Sequence, residues 1–173
     1  MEYVDFNRHK YESSLTCAVI AHHATCLADT LASELGILAK SDPVLLTAPW
    51  RRVPAGTNGG VTMIGFFWSL FGGVLMGAGT LLMDYLSGIE TRPVRMMIYS
   101  GACGLIGSFL DSFLGATVQA TYYDKERKLI YCERKKNTDH MCGMNILSNA
   151  QVNAVSVLMT TMIGGLILAP MIF

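Results

Sequence analysis

Four stretches of this 173-residue chain are almost free of charge, and they decide what it can fold into. They run over residues 15–32, 61–83, 96–118 and 152–173 and hold two charged residues, Asp29 and Asp111. The rest of the 13 Lys+Arg and 13 Asp+Glu crowd into the intervening segments. A helix of about 23 residues is about 35 Å long, enough to cross a hydrocarbon core of about 30 Å. The pattern therefore predicts an all-α fold: a single polytopic membrane domain with four transmembrane helices in the lipid bilayer. A chain that is 51% apolar, with mean hydropathy +0.39, is not a disordered or ordinary secreted protein. Its net charge of zero predicts no electrostatic preference for nucleic acid.

The first stretch is the most polar, with His22, His23 and Asp29 inside it. A central Asp alone costs about 2.5 to 3.5 kcal/mol on insertion scales, so this helix needs protein around it. Arg8, His9 and Lys10 before an apolar run have the outline of a signal peptide, but Glu2, Asp5 and Glu12 in the same leader argue against one. Lys and Arg number nine in the segments 33–60 and 119–151 and four in the others, which places those two loops in the cytosol. The five cysteines then fall in the membrane or a reducing compartment and form no disulfide framework. In the second loop, Tyr122, Tyr123 and Leu129 to Tyr131 read as a short strand or hairpin.

Polar residues inside apolar helices carry the chemical signal. Asp29 with Ser33, and Thr30 with Glu34, stand at i, i+4 spacing near one membrane surface. Ala18, Ala21, Ala24 or Thr25, Ala28 and Ala32 form a small-residue stripe that admits a close backbone or a ligand. In the third stretch Gly101, Gly104, Gly107, Asp111 and Gly115 repeat the design, with Ser108 and Ser112 beside the acid. Brought face to face, the two stripes carry Asp111 toward Asp29, where paired acids share a proton or hold a cation. The same residues equally describe a helix-packing seam whose acids bond to neighbours, and for the glycines alone that is the favoured reading.

The loop Pro54 to Thr62 contains Gly56, Thr57, Asn58, Gly59 and Gly60 and leads into the second helix. Its N–H groups and the helix dipole suit an anion such as phosphate, with Arg51 and Arg52 just upstream. A glycine-rich turn before a membrane helix is also commonly just a turn. Asn145, Asn149 and Asn153 open the fourth helix at i, i+4 spacing, as neutral ligands at its cytosolic end or, for Asn149 above all, as a cap. Adjacent His22 and His23 point in different directions, and Cys132, His140 and Cys142 lack a fourth partner at zinc spacing.

Ala28 to Gly36, Val53 to Thr62, Gly107 to Thr117 and Asn153-Ala154 together resemble the transmembrane protein 19 family, in order and over nearly the whole chain from about Val4. That family is polytopic and includes the chloroplast phytyl-phosphate kinase, which transfers a nucleotide phosphate to a prenyl monophosphate. The resemblance implies a lipid-phosphate kinase of an endomembrane such as the endoplasmic reticulum, with a nucleoside triphosphate and a prenyl phosphate as partners. It implies Asp29 and Asp111 as catalytic acids, and Asp29, Glu34 and Asp111 as holders of Mg²⁺. Ser33, Gly56, Thr57, Asn58, Gly59, Gly60 and Asn153 would complete the phosphate shell. Members usually carry further membrane helices before the first motif, so the chain is expected to be the C-terminal part of a larger protein. The competing expectation is a non-enzymatic membrane protein or a cation- or proton-coupled carrier, since polar helices with midplane acids also mark transporters.

Overall fold

The charge-poor stretches become four long helices, three of them opened by a signal that the sequence supplies. The computed structural model describes residues 4–173. Helix α1 spans Lys10–Gly36, α2 Met63–Leu86, α3 Pro93–Val118, and α4 Asn149–Ile163. Thr62 caps α2 by accepting from the Gly65 amide at 3.0 Å, and Pro93 opens α3 where a missing N–H costs nothing. Ser148 and Gln151 cap α4 reciprocally, at 2.8 and 3.4 Å. The cap expected of Asn149 thus falls to its neighbour: Asn149 is the first helical residue, and Asn145 lies before the helix. The fourth span continues as one wide π turn, Gly164–Leu168, and a last turn α5, Ala169–Ile172. Pro170 sits in α5, without an amide to donate and with a ring that crowds the preceding turn, and the wider turn makes room for it.

All four spans, counting Asn149–Ile172 as one, are long and apolar enough to cross a membrane. They extend beyond the charge-free windows by a few residues at several ends. Helix α2 thus takes in Asp84, which is buried with its Oδ2 unpartnered among the described residues.

The small-residue stripe of α1 is where the bundle closes. A Cβ on Gly72 would lie 2.8 Å from the Ala28 Cα, and one on Gly104 2.9 Å from the Ala28 Cβ. Gly107 abuts Thr25, Gly164 abuts Ala21, and Gly165 lies over Ala18. Backbones approach this closely only where side chains are absent or minimal. Apart from Asp84, the far half of the bundle pairs polar groups internally: Tyr99 donates to the Cys17 carbonyl at 2.7 Å and Ser100 to the Met96 carbonyl at 2.8 Å. Tyr99, Met96, Cys17 and Cys103 are fully buried there.

Both connections at the other end carry small antiparallel sheets, which qualify the all-α expectation without changing the mostly helical architecture. The first joins β1 (Val44–Leu45), β2 (Ala48–Arg52) and β3 (Gly60–Val61) in the order β2-β1-β3. The second joins β4 (Thr121–Asp124), β5 (Leu129–Tyr131) and β6 (Asp139–Cys142) in the order β5-β4-β6. Its β4–β5 hairpin is the one expected from the tyrosines. The two sheets meet: the Asn58 amide donates to Thr121 Oγ1 at 3.3 Å, and the Cys142 thiol donates to the Asn58 carbonyl at 3.2 Å. Leu45, Val53, Ala116 and Cys142 form a small core beneath them. Burial raises the Cys142 pKa, so its thiol stays protonated and available as that donor.

Candidate functional site

Beneath this double cap, the loop-side ends of the helices enclose a cleft of about 270 Å³. Helix α1 contributes Asp29 and Ser33, α2 Gly65 and Ser69, α3 Ser108, Asp111 and Ser112, and α4 Asn149 and Asn153. The glycine-rich loop from Ala55 to Thr62 forms another wall, together with Ile37, Ala39, Ser41 and Pro43 after α1. Residues far apart in sequence are therefore brought together, among them the two acids and all seven residues expected around a phosphate. Ser69 donates to the Gly65 carbonyl at 3.0 Å, and its oxygen can accept from the Ser108 hydroxyl 2.9 Å away, which closes the floor.

Asp111 is held from α4. Ser156 donates to its Oδ1 at 3.2 Å, and the Asn153 amide nitrogen, in the orientation that satisfies both of its ends, donates to the same oxygen at 3.0 Å and to the Asn149 carbonyl at 3.0 Å. Asp29 is half-buried on α1 and lines the same cleft as Asp111. The hydroxyls beside it turn away: Thr30 donates to the Cys26 carbonyl at 2.8 Å and Ser33 to the Thr30 carbonyl at 3.0 Å. The hydroxyl shell expected around Asp29 is thus spent on the helix backbone.

The loop is narrower in its offer than its glycines suggest. Thr57 N–H and Oγ1 both donate to the Pro54 carbonyl, at 3.1 and 2.7 Å, and Gly60 N–H donates to the Thr57 carbonyl at 2.9 Å. With Asn58 bound to Thr121, the amides of Ala55, Gly56 and Gly59 are left without a partner among the described residues from Pro54 to Gly60. Both glycines have positive φ, +86° and +71°, which a residue without a Cβ adopts at no steric cost. Gly59 could not be anything else, because a Cβ there would collide with Ala116 and lie 2.6 Å from the Ser112 carbonyl. The first turn of α2 opens onto the same cleft through Thr62, Gly65 and Phe66.

Three expected contributors stand apart. Glu34 is exposed and does not line the cleft. Five residues after Asp29, it lies about 140° around the helix, so the two acids cannot face one ion. Arg51 and Arg52 are exposed on β2 and likewise line no part of it. Among the described residues no group of three or more His, Cys, Asp or Glu is poised to hold a metal. His140 Nε2 pairs with the Gly143 carbonyl at 2.8 Å, and Cys142 with Asn58. Sequence reasoning missed Ser69 and Ser156, single serines in apolar helices whose partners lie on other helices.

Comparison with known proteins agrees with the membrane architecture. A family described as "Integral membrane protein DUF92" matches residues 2–161. The chain belongs to the DUF92 family. It is accordingly a multi-pass integral membrane protein. Protein PGR of Arabidopsis thaliana is 32% identical over 163 residues, covering 91% of this DUF92 chain and 56% of that protein. An uncharacterized membrane protein of Methanocaldococcus jannaschii is 30% identical over 148 residues, covering 86% of this chain and 48% of its own length. The chain thus spans about half the length of these relatives. No solved structure matches it.

Proposed function

We propose that the cleft binds the phosphates of a nucleoside triphosphate and of a prenyl or other lipid monophosphate, and transfers the terminal phosphoryl group from the first to the second. The observation that carries this reading is the meeting, in one cleft, of Asp29 and Asp111 with the glycine-rich loop from Gly56 to Gly60 and the first turn of α2. The acceptor oxygen already belongs to a phosphate anion, so no general base is required. It forms a bond to the terminal phosphorus while the bridging P–O bond breaks, and the electron pair leaves with the nucleoside diphosphate. What such a transfer demands is positioning and charge neutralisation, which acids with a cation and amide donors supply.

Two carboxylates facing anionic phosphates require a cation between them. Mg²⁺ is commonly bound by one or two carboxylates plus substrate phosphates, and Asp29 with Asp111 fits that mode. With Glu34 outside the cleft, the residues suit an ion shared with substrate rather than an all-protein cage. Bound there, Mg²⁺ would neutralise charge on the transferring group. Asn153 and Ser156 keep Asp111 oriented, and the Gly56 and Gly59 amides hold phosphate oxygens. At about 270 Å³ the cleft falls just below the roughly 300 to 1,000 Å³ of whole-ligand sites, so it takes phosphate ends and leaves the nucleoside and lipid chain outside.

The resemblance to the transmembrane protein 19 family and its phytyl-phosphate kinase branch supports this reading, as does the basic loop side, which suits a cytosolic face of an endomembrane. A carrier would need the acids to communicate with the far side as well. Below the cleft that route is filled by the Ser69–Ser108 bond and by Thr25 against Gly107. The test is transfer of labelled terminal phosphate to a prenyl monophosphate by the full-length protein in liposomes. Wild type should form labelled lipid diphosphate, while Asp29→Asn and Asp111→Asn, expressed at equal level, should not. Unchanged turnover in both variants would rule the arrangement out.

A further inference from the structure

The cleft does not account for a second polar feature of α1. His22, Cys26, Asp29 and Ser33 stand at i, i+4, i+7 and i+11, within about 60° of arc on one face of the helix. Asp29 and Ser33 line the cleft. Below them Cys26 is half-buried with its Sγ 3.9 Å from His22 Nε2, and His22 is exposed about 10 Å deeper into the span. Polar groups facing hydrocarbon are costly, and ionisable ones within spans face water-filled cavities or mark substrate paths. The neighbouring contacts say where the strip runs. Helix α1 is in contact with the fourth span at Ala18 and Ala21, through Gly165 and Gly164. Next to Ala21, on the side toward the cleft, the α1 surface is open at His22. The α1 surface that carries His22 and Cys26 thus adjoins the packed seam with the fourth span and leads, about one to two turns on, to Asp29 and Ser33 at the cleft.

We infer that this strip is the lateral portal by which a lipid-borne phosphate reaches the cleft, with His22 hydrogen-bonding the headgroup as it leaves the bilayer interior and the acyl or prenyl chain remaining in lipid. The inference rests on the phosphate reading of the cleft and adds the route by which its lipid acceptor enters. His22 is a guiding residue, distant from the reacting atoms.

Cys26 reports on the portal directly. Of the five cysteines, Cys17, Cys103 and Cys142 are buried and Cys132 is exposed on a loop, so Cys132→Ser leaves Cys26 as the accessible thiol. The full chain carrying Cys132→Ser, in vesicles, is treated with a water-soluble maleimide alone, with a long-chain prenyl monophosphate, or with its single-isoprene, water-soluble analogue. Binding of the soluble analogue to the cleft is measured in parallel by calorimetry. Labelling of Cys26 is expected without lipid and is expected to slow at least several-fold with the long-chain compound only. His22→Leu should weaken that protection while leaving the soluble analogue's affinity unchanged. A strip that never labels, labelling that long-chain lipid leaves unaltered, or equal protection by both compounds overturns the portal. Any of these outcomes with intact soluble-analogue binding leaves the cleft reading standing. Loss of soluble-analogue binding in the unmutated chain removes both.

Discussion

The two halves of the helix bundle are built from the same materials and end in different states. In the far half, alanines and glycines bring α1, α3 and the fourth span together, and Tyr99 between them is paired with the Cys17 carbonyl, while Asp84 on α2 keeps one oxygen unpartnered among the described residues. In the loop-side half the helices part, and Asp29 and Asp111 face a cleft that the Pro54 to Thr62 loop roofs over. A small-residue stripe is therefore not itself a site. It becomes one where the close approach stops and charged groups are left facing space.

The largest expected effect is on chemistry. Removing one of the two acids should lower phosphoryl transfer at least about 100-fold, the scale seen when a single electrostatic contact is deleted from a charged transition state. Kinetics of Asp111→Asn in liposomes check it, and a loss of only a few-fold would make the acids packing elements like those of the far half. Next is Gly73→Val, since a Cβ there already lies 2.9 Å from the Gly101 Cα. Overpacking should cost about 1 to 3 kcal/mol, read as a lower denaturation midpoint in detergent.

Gly59→Ala and Gly88→Ala form a matched pair. Both glycines have positive φ, +71° and +67°, so each substitution carries about 1 to 2 kcal/mol of left-handed strain. A Cβ on Gly88 meets nothing within 4 Å, whereas one on Gly59 collides with Ala116. Only Gly59→Ala should therefore weaken phosphate binding, as measured by titration with inorganic pyrophosphate. The smallest effect is that of Tyr99→Phe, which removes one buried hydrogen bond and should cost about 0.5 to 1.5 kcal/mol of stability without changing that binding.

Much of this contrast could be read from the sequence, because it rests on local rules. Charge-free runs of the right length marked the spans, periodic Ala and Gly marked the seams, and Asp29 and Asp111 stood out as charges in apolar helices. Helical spacing did not reveal how side chains spend their hydrogen bonds. Ser33 and Thr30 bond to their own helix, and Glu34 faces away. The two sheets were mostly hidden because strands of two to five residues, such as Val44–Leu45, carry no alternation to detect. The link between the loops was beyond any local pattern, since Asn58 and Thr121 are 63 residues apart. That link in turn consumes an amide that the glycine-rich loop was expected to present.

Calorimetric titration of the full chain in nanodiscs with inorganic pyrophosphate, with and without Mg²⁺, tests the cleft at its centre. Saturable, Mg²⁺-dependent binding is expected, abolished by Asp29→Asn and by Asp111→Asn and preserved in the far-half variant Tyr99→Phe. Binding that fails to saturate, or that survives unchanged in both Asp variants, would contradict a phosphate site built on the two acids.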